Sequence, residues 1–255
     1  MQKITELDQK SPIAEAYRTI RTNISFSDMD NEIKIILFTS TKQNEGKSTI
    51  IANVTHTFSK IENARILLMD LDLRNPTVHK MFEVSNTYGL MDNLKDNRPF
   101  EKCIHKINEN IDVLPTGPMP PNPAEVLSSK KMVNFLKNIK EHYDYVFVDA
   151  PPVGIVSDAS IISKYVDAVM FVVAANETDL DHAQLAIENL KKADANVIGA
   201  VLNKYEMNQS SYAYYGYYYE QQETSKRAGF RRKKKKKGLF GRINSKRGLH
   251  GRKIN

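Results

Sequence analysis

The sequence has no tryptophan and a single cysteine, Cys103. One thiol excludes an intramolecular disulfide and a cysteine-based zinc finger, and it suits a reducing cytoplasm. No apolar run approaches the roughly 20 residues that a membrane span needs. Residues 1–10 are polar and hold no signal-peptide core. The six histidines have no metal-ligand spacing. Acidic residues are missing altogether from positions 226–255, which carry 14 Lys and Arg. The formal net charge of +7 over 255 residues is therefore a poor average. Positions 1–225 hold 23 basic and 30 acidic residues, a net charge of −7. The basicity belongs to a tail, so it does not make the body a nucleic-acid binder.

With 41% hydrophobic and 26% charged residues, the body is globular in composition. Mostly apolar runs at 33–39, 65–70, 145–149, 168–173 and 196–202 predict strands buried on both faces, with a shorter one at 111–114. Helical spacing predicts helices over 11–29, 47–60, 125–142 and 180–193. Alternation of this kind predicts a doubly wound, mostly parallel α/β sheet. The pattern divides the chain into an N-terminal helical region at 1–30, a P-loop domain at 31–205, a tyrosine-rich segment at 206–225 and a disordered basic tail at 226–255.

The first strand runs into Thr41-Lys-Gln-Asn-Glu-Gly-Lys-Ser48, with Thr49 opening the next helix. Gly46, Lys47 and Ser48 match the end of the P-loop pattern G-x-x-x-x-G-K-S/T, in the right strand-to-helix context. Thr41 replaces the first glycine, and Asn44 stands where a second is common; Asn tolerates left-handed backbone. Backbone N–H groups of Thr41, Lys42, Gln43, Asn44, Glu45 and Gly46, with Lys47, Ser48 and Thr49, would cradle phosphates at the helix N-terminus. Lys47 would bridge the β- and γ-phosphates, and Ser48 would ligate Mg²⁺. Taken alone, the loop also fits a surface turn that merely contains Gly-Lys-Ser.

Two strands end in carboxylates, Asp70-Leu-Asp72-Leu-Arg74 and Asp149-Ala-Pro-Pro152. Strand ends of parallel sheets face the ligand crevice. Asp149 would hold the Mg²⁺ shell in a Walker B arrangement. Of Asp70 and Asp72, one would take a proton from an attacking hydroxyl and the other would help fix the metal; Asp70 is the first choice as base. Arg74 would pair with Asp70 or Asp72, or reach phosphate. The alternative is that strand-end aspartates cap the following helices. Further on, Tyr212, Tyr214, Tyr215, Tyr217, Tyr218 and Tyr219 gather half of the twelve tyrosines into eight residues. Core tyrosines do not cluster so; a stacking platform for nucleic acid or a low-complexity segment are the bland readings.

The ordered set (a P-loop, hhhDxDxR, hhhDxPP with h apolar, and a terminal tyrosine cluster) resembles the bacterial tyrosine kinases of capsule and exopolysaccharide loci. The resemblance spans roughly residues 10–222. It implies ATP and Mg²⁺ as cofactors, with Lys47, Asp70, Asp72 and Asp149 as catalytic residues and Ser48, Asp72 and Asp149 around the metal. It implies that Asn203 reads the adenine, and that Glu15, Arg18 and Arg21, in an E-x-x-R-x-x-R motif, hold a ring homo-oligomer. Without the resemblance these three are ordinary surface pairs on a helix. It further implies a transmembrane polysaccharide co-polymerase-like activator, a cognate phosphotyrosine phosphatase, and a cytoplasmic location at the inner face of the cell membrane. The tyrosine segment then becomes a substrate peptide for a neighbouring copy. Arg231–Lys237, followed by Leu239 and Phe240, suits an anionic membrane surface, with a merely solvated charge run as an even alternative and RNA or DNA as a third reading. Lys42 also resembles the second lysine of the deviant-Walker partition ATPases, which keeps a non-kinase ATPase as the alternative.

Overall fold

The computed structural model describes residues 11–28 and 33–206. The tyrosine cluster and the basic tail lie outside the described residues.

Seven strands form one sheet: β1 (Ile35–Ser40), β2 (Ile66–Asp70), β3 (His105–Lys106), β4 (Ile111–Leu114), β5 (Tyr145–Asp149), β6 (Ala168–Ala174) and β7 (Val197–Asn203). Their order is β3-β4-β2-β5-β1-β6-β7. Only the two-residue β3 runs antiparallel. This is the expected doubly wound, mostly parallel architecture. The helices are α1 (Pro12–Ser27), α2 (Lys47–Phe58), α3 (Val78–Met81), α4 (Leu90–Asp96), α5 (Pro123–Leu127), α6 (Lys130–Ile139), α7 (Asp158–Ser163) and α8 (Leu180–Lys192).

The strand sequences are apolar on both sides because both faces are covered. Ile35 and Leu37 enter one core with α4 to α8, whereas Ile36 and Phe38 enter the other with α1 to α3. The second core is built around Phe38, Phe58 and Phe147, whose rings meet edge-on at 6.0 and 5.0 Å. Helix starts follow local chemistry: Ser11 accepts from the Ala14 amide, with Pro12 in the first turn.

The expected helix 125–142 is two helices. Ser129 leaves helical geometry, and its hydroxyl accepts the Met132 amide, so α6 starts afresh after α5. Short helices α3, α4 and α7 were not expected. Among the described residues, no helix is long and apolar enough to cross a membrane.

Candidate active site

β5 lies between β1 and β2, so the loops after these three strands emerge side by side at one end of the sheet. Asp70 and Asp149 are register partners on β2 and β5. The phosphate loop follows β1, and its backbone turns at Asn44 (φ 65°) and Gly46 (φ 86°). Asn44 thus takes the left-handed conformation that a glycine would otherwise supply. At Gly46 a β-carbon would run into the Asn203 side chain. The Asn203 amide donates to the Glu45 carbonyl at 2.8 Å, so β7 closes the loop from behind.

Glu45 is buried and supports the loop from inside: its carboxylate accepts the Lys42 amide at 3.0 Å and the Thr178 hydroxyl. Lys47 ion-pairs with Asp149, and the Ser48 hydroxyl donates to the other Asp149 oxygen at 2.7 Å. Thr77 donates its hydroxyl to Ser48 Oγ at 3.1 Å. The Thr41 hydroxyl is buried with no hydrogen-bond partner. An unpartnered donor, a left-handed loop and a lysine aimed at a carboxylate fit an anionic ligand with a hard cation. Among the described residues no three His, Cys, Asp or Glu side chains make a metal site by themselves. Mg²⁺ would instead share Ser48 and Asp149 with phosphate oxygens, its usual manner of binding.

Asp70 is fully buried and accepts three backbone amides: Asp72 at 3.1 Å, and Thr77 and Val78 at 2.9 Å each. It therefore caps α3, the bland reading of a strand-end aspartate, while facing the same crevice. Burial, with the Asp149 charge in second place, pushes its carboxyl up to about 7 against the pull of the Val78 and Thr77 amides and Lys47. Asp72 is 8% exposed and accepts the Asn75 amide at 3.0 Å. Burial raises its carboxyl too, and Lys47 opposes the rise.

Arg74 corrects an expectation. It pairs with neither Asp70 nor Asp72; its guanidinium makes a two-point bond to Asp158 at 2.8 and 3.0 Å. Asp158 starts α7 and its side chain is fully buried, so an arginine fork is the partner it needs. The pair ties the loop carrying Asp72 to the helix that follows Asp149. Sequence reasoning missed Asp158, Thr77 and Thr178. Only Asp158 left a trace, as an acidic residue opening an apolar helical stretch. Cys103 is a buried thiol packed in the core of the α4–α8 face.

The side chains of the other predicted residues are engaged elsewhere. Lys42 donates to the Glu177 carbonyl of its own chain at 2.6 Å. On α1, Arg18 pairs with Glu15, and Arg21 donates to the Thr57 carbonyl at 3.0 Å.

A ParA family model, described as NUBPL iron-transfer P-loop NTPase, matches residues 32–235. The tyrosine-protein kinase YwqD of Bacillus subtilis is 40% identical over 215 residues, covering 84% of this chain and 90% of its own. A putative tyrosine-protein kinase CapB of Staphylococcus aureus is 38% identical, covering 81% and 92%. Among solved structures, the chimerical protein CapA2B2 is 34% identical with a TM-score of 0.75, covering 80% of this chain and 90% of that one. The kinase domain of the Escherichia coli tyrosine kinase ETK is 28% identical with a TM-score of 0.76, covering 82% of each. A ParA family ATPase of Chlorobium tepidum, 17% identical at a TM-score of 0.59, shares the fold.

Proposed function

Because this chain belongs to the bacterial tyrosine-protein kinases, built on the ParA-type P-loop NTPase fold, we propose that it transfers the γ-phosphoryl group of ATP to Tyr212–Tyr219 of a neighbouring copy. The observation that carries this reading is the meeting of Lys47 and Ser48, after β1, with Asp149, at the end of the adjacent β5. Lys47 exchanges its bond to Asp149 for phosphate oxygens and neutralises the charge that grows on them. Ser48 and Asp149, with Asp72 beside them, would hold Mg²⁺, which would supply further positive charge at the phosphates. The tyrosine oxygen forms the new bond to phosphorus as the bond to ADP breaks, and its proton passes to a carboxylate. Exposure favours Asp72 for that proton: Asp70 is fully buried, with its oxygens held by backbone amides. Asn203, behind the loop, is assigned to the adenine.

The remaining roles are assigned by region. Residues 1–30 hold a ring through Glu15, Arg18 and Arg21, and residues 31–205 form the catalytic unit. Residues 206–225 are the substrate, and residues 226–255 a basic tail suited to the anionic inner face of the cell membrane. A transmembrane co-polymerase-like activator switches the kinase on, a phosphotyrosine phosphatase resets it, and the cycle regulates capsule or exopolysaccharide synthesis and export. Each phosphate adds about −1.5 to −2 charges, so a modified segment is repelled by Asp70, Asp72 and Asp149 and the ring loosens.

The test mixes a full-length Lys47→Met chain with an active chain lacking residues 206–255, in Mg-ATP and with activator membranes. Phosphotyrosine on the Lys47→Met chain is the expected result, while Lys47→Met alone stays unlabelled. Labelling of Lys47→Met alone would remove this loop from the chemistry. An unlabelled Lys47→Met chain in the mixture, with the intact active chain labelled in a parallel sample, would rule out transfer between copies.

A further inference from the structure

A cleft of about 800 Å³ among the described residues lies away from the phosphate loop. It lies at the opposite end of the strands, where Arg65 leads into β2, Asp112 lies in β4 and Tyr143 leads into β5. Its volume is that of a small-molecule site. Three rings form its wall: Phe100 stands 6.0 Å from Phe135 and 6.3 Å from Tyr143, centroid to centroid. The Tyr143 hydroxyl donates to Asp112 at 2.6 Å, and burial keeps that phenol neutral.

The charges decide the ligand class. The lining carries Arg65 and Lys106 against Glu101, Glu109 and Asp112, with no excess of positive charge. A nucleotide or phosphate ester would need a clear excess of donors and positive charge. A lipid chain would gain nothing from five charged groups in the lining. A sugar ring fits both halves: its C–H face lies on an aromatic wall, and its hydroxyls both donate to carboxylates and accept from amides and cations. At the cleft's edge the exposed side chains of Asn138 and His142 make no hydrogen bond to another described residue, so their polar atoms are available.

We propose that this cleft between the β3–β4 edge and the end of α6 binds an uncharged oligosaccharide. The site is separate from the phosphotransfer centre, and the inference stands whether or not the phosphotransfer reading holds.

The test is saturation-transfer NMR on the full chain with maltotriose, cellotriose and the trimer of N-acetylglucosamine. At least one should receive magnetisation from protein aromatic protons, with affinity around the millimolar range. Excess Mg-ADP should leave that signal unchanged. Asn138→Ala, on the surface, and Phe135→Ala, checked for folding by its melting curve, should each weaken binding about tenfold or more. If none of the three sugars binds, or if binding is indifferent to Asn138→Ala and Phe135→Ala, the proposal is wrong. Displacement by Mg-ADP would relocate the ligand to the phosphate loop and overturn it as well. Binding of a hydrophobic peptide to the same residues without any sugar would make the cleft a protein-docking site.

Discussion

Asp70 couples protonation to stability at a single residue. Its carboxyl is held near 7 in the fold against 3.8 in the unfolded chain. Between these values the folded form binds more protons, so stability falls as pH rises from about 4 to about 7 and is level above. Asp70→Asn should flatten that slope in nucleotide-free protein kept in EDTA, at the expense of one backbone amide left unpaired. Thermal melts from pH 5 to pH 8 check this, and parallel curves for the two proteins would show that Asp70 does not titrate there. Lys47, Ser48 and Asp149 were legible in the sequence because each belongs to a local spacing pattern at a strand end. The bond between Arg74 and Asp158 was not: it spans 84 positions and joins a loop to a distant helix, so no local pattern records it.

That bond acts between elements, clamping the loop after β2 to the start of α7. Arg74 is partly exposed and Asp158 fully buried, so the loss of either leaves an asymmetric penalty. Arg74→Gln and Asp158→Asn should each cost about 1–3 kcal/mol. The double variant should cost clearly less than their sum, because the second change removes a group already stranded by the first. Urea unfolding of all four proteins measures the coupling; costs that add to within about 0.3 kcal/mol would deny the clamp. The long strands and α1, α2 and α8 could be read from apolar periodicity. The helix at 125–142 could not be read correctly, because its apolar spacing continues across Ser128 and Ser129 while the Ser129 hydroxyl restarts the hydrogen bonding. Helices of four to seven residues such as α3, α4 and α7 are too short for a periodic signal to rise above their loops.

At the scale of the whole molecule, α1 presents its charged positions while being held by others. Tyr17 and Ile24 are buried, and the Tyr17 hydroxyl accepts from Asn53 at 3.0 Å. A triple Glu15→Ala, Arg18→Ala, Arg21→Ala variant should therefore keep its fold, losing about 1 kcal/mol with the Arg21 bond to Thr57. It should sediment as a monomer under conditions where the parent chain forms a ring; identical sedimentation would take α1 out of the assembly. Strand-and-helix alternation gave the fold class, but the order of strands was not visible, since long-range pairing leaves no mark within any one segment. That order governs how the protein comes into being. β1 and β2 are not neighbours: the gap between them is filled by β5, made more than 70 residues after β2. A growing chain on the ribosome, at about 5–20 residues per second, thus holds its phosphate loop for several seconds before the strand bearing Asp149 exists. Until that late strand threads between two earlier ones, Lys47 and Ser48 have no Asp149 to meet, so a nascent chain, or one truncated before residue 145, cannot assemble this site.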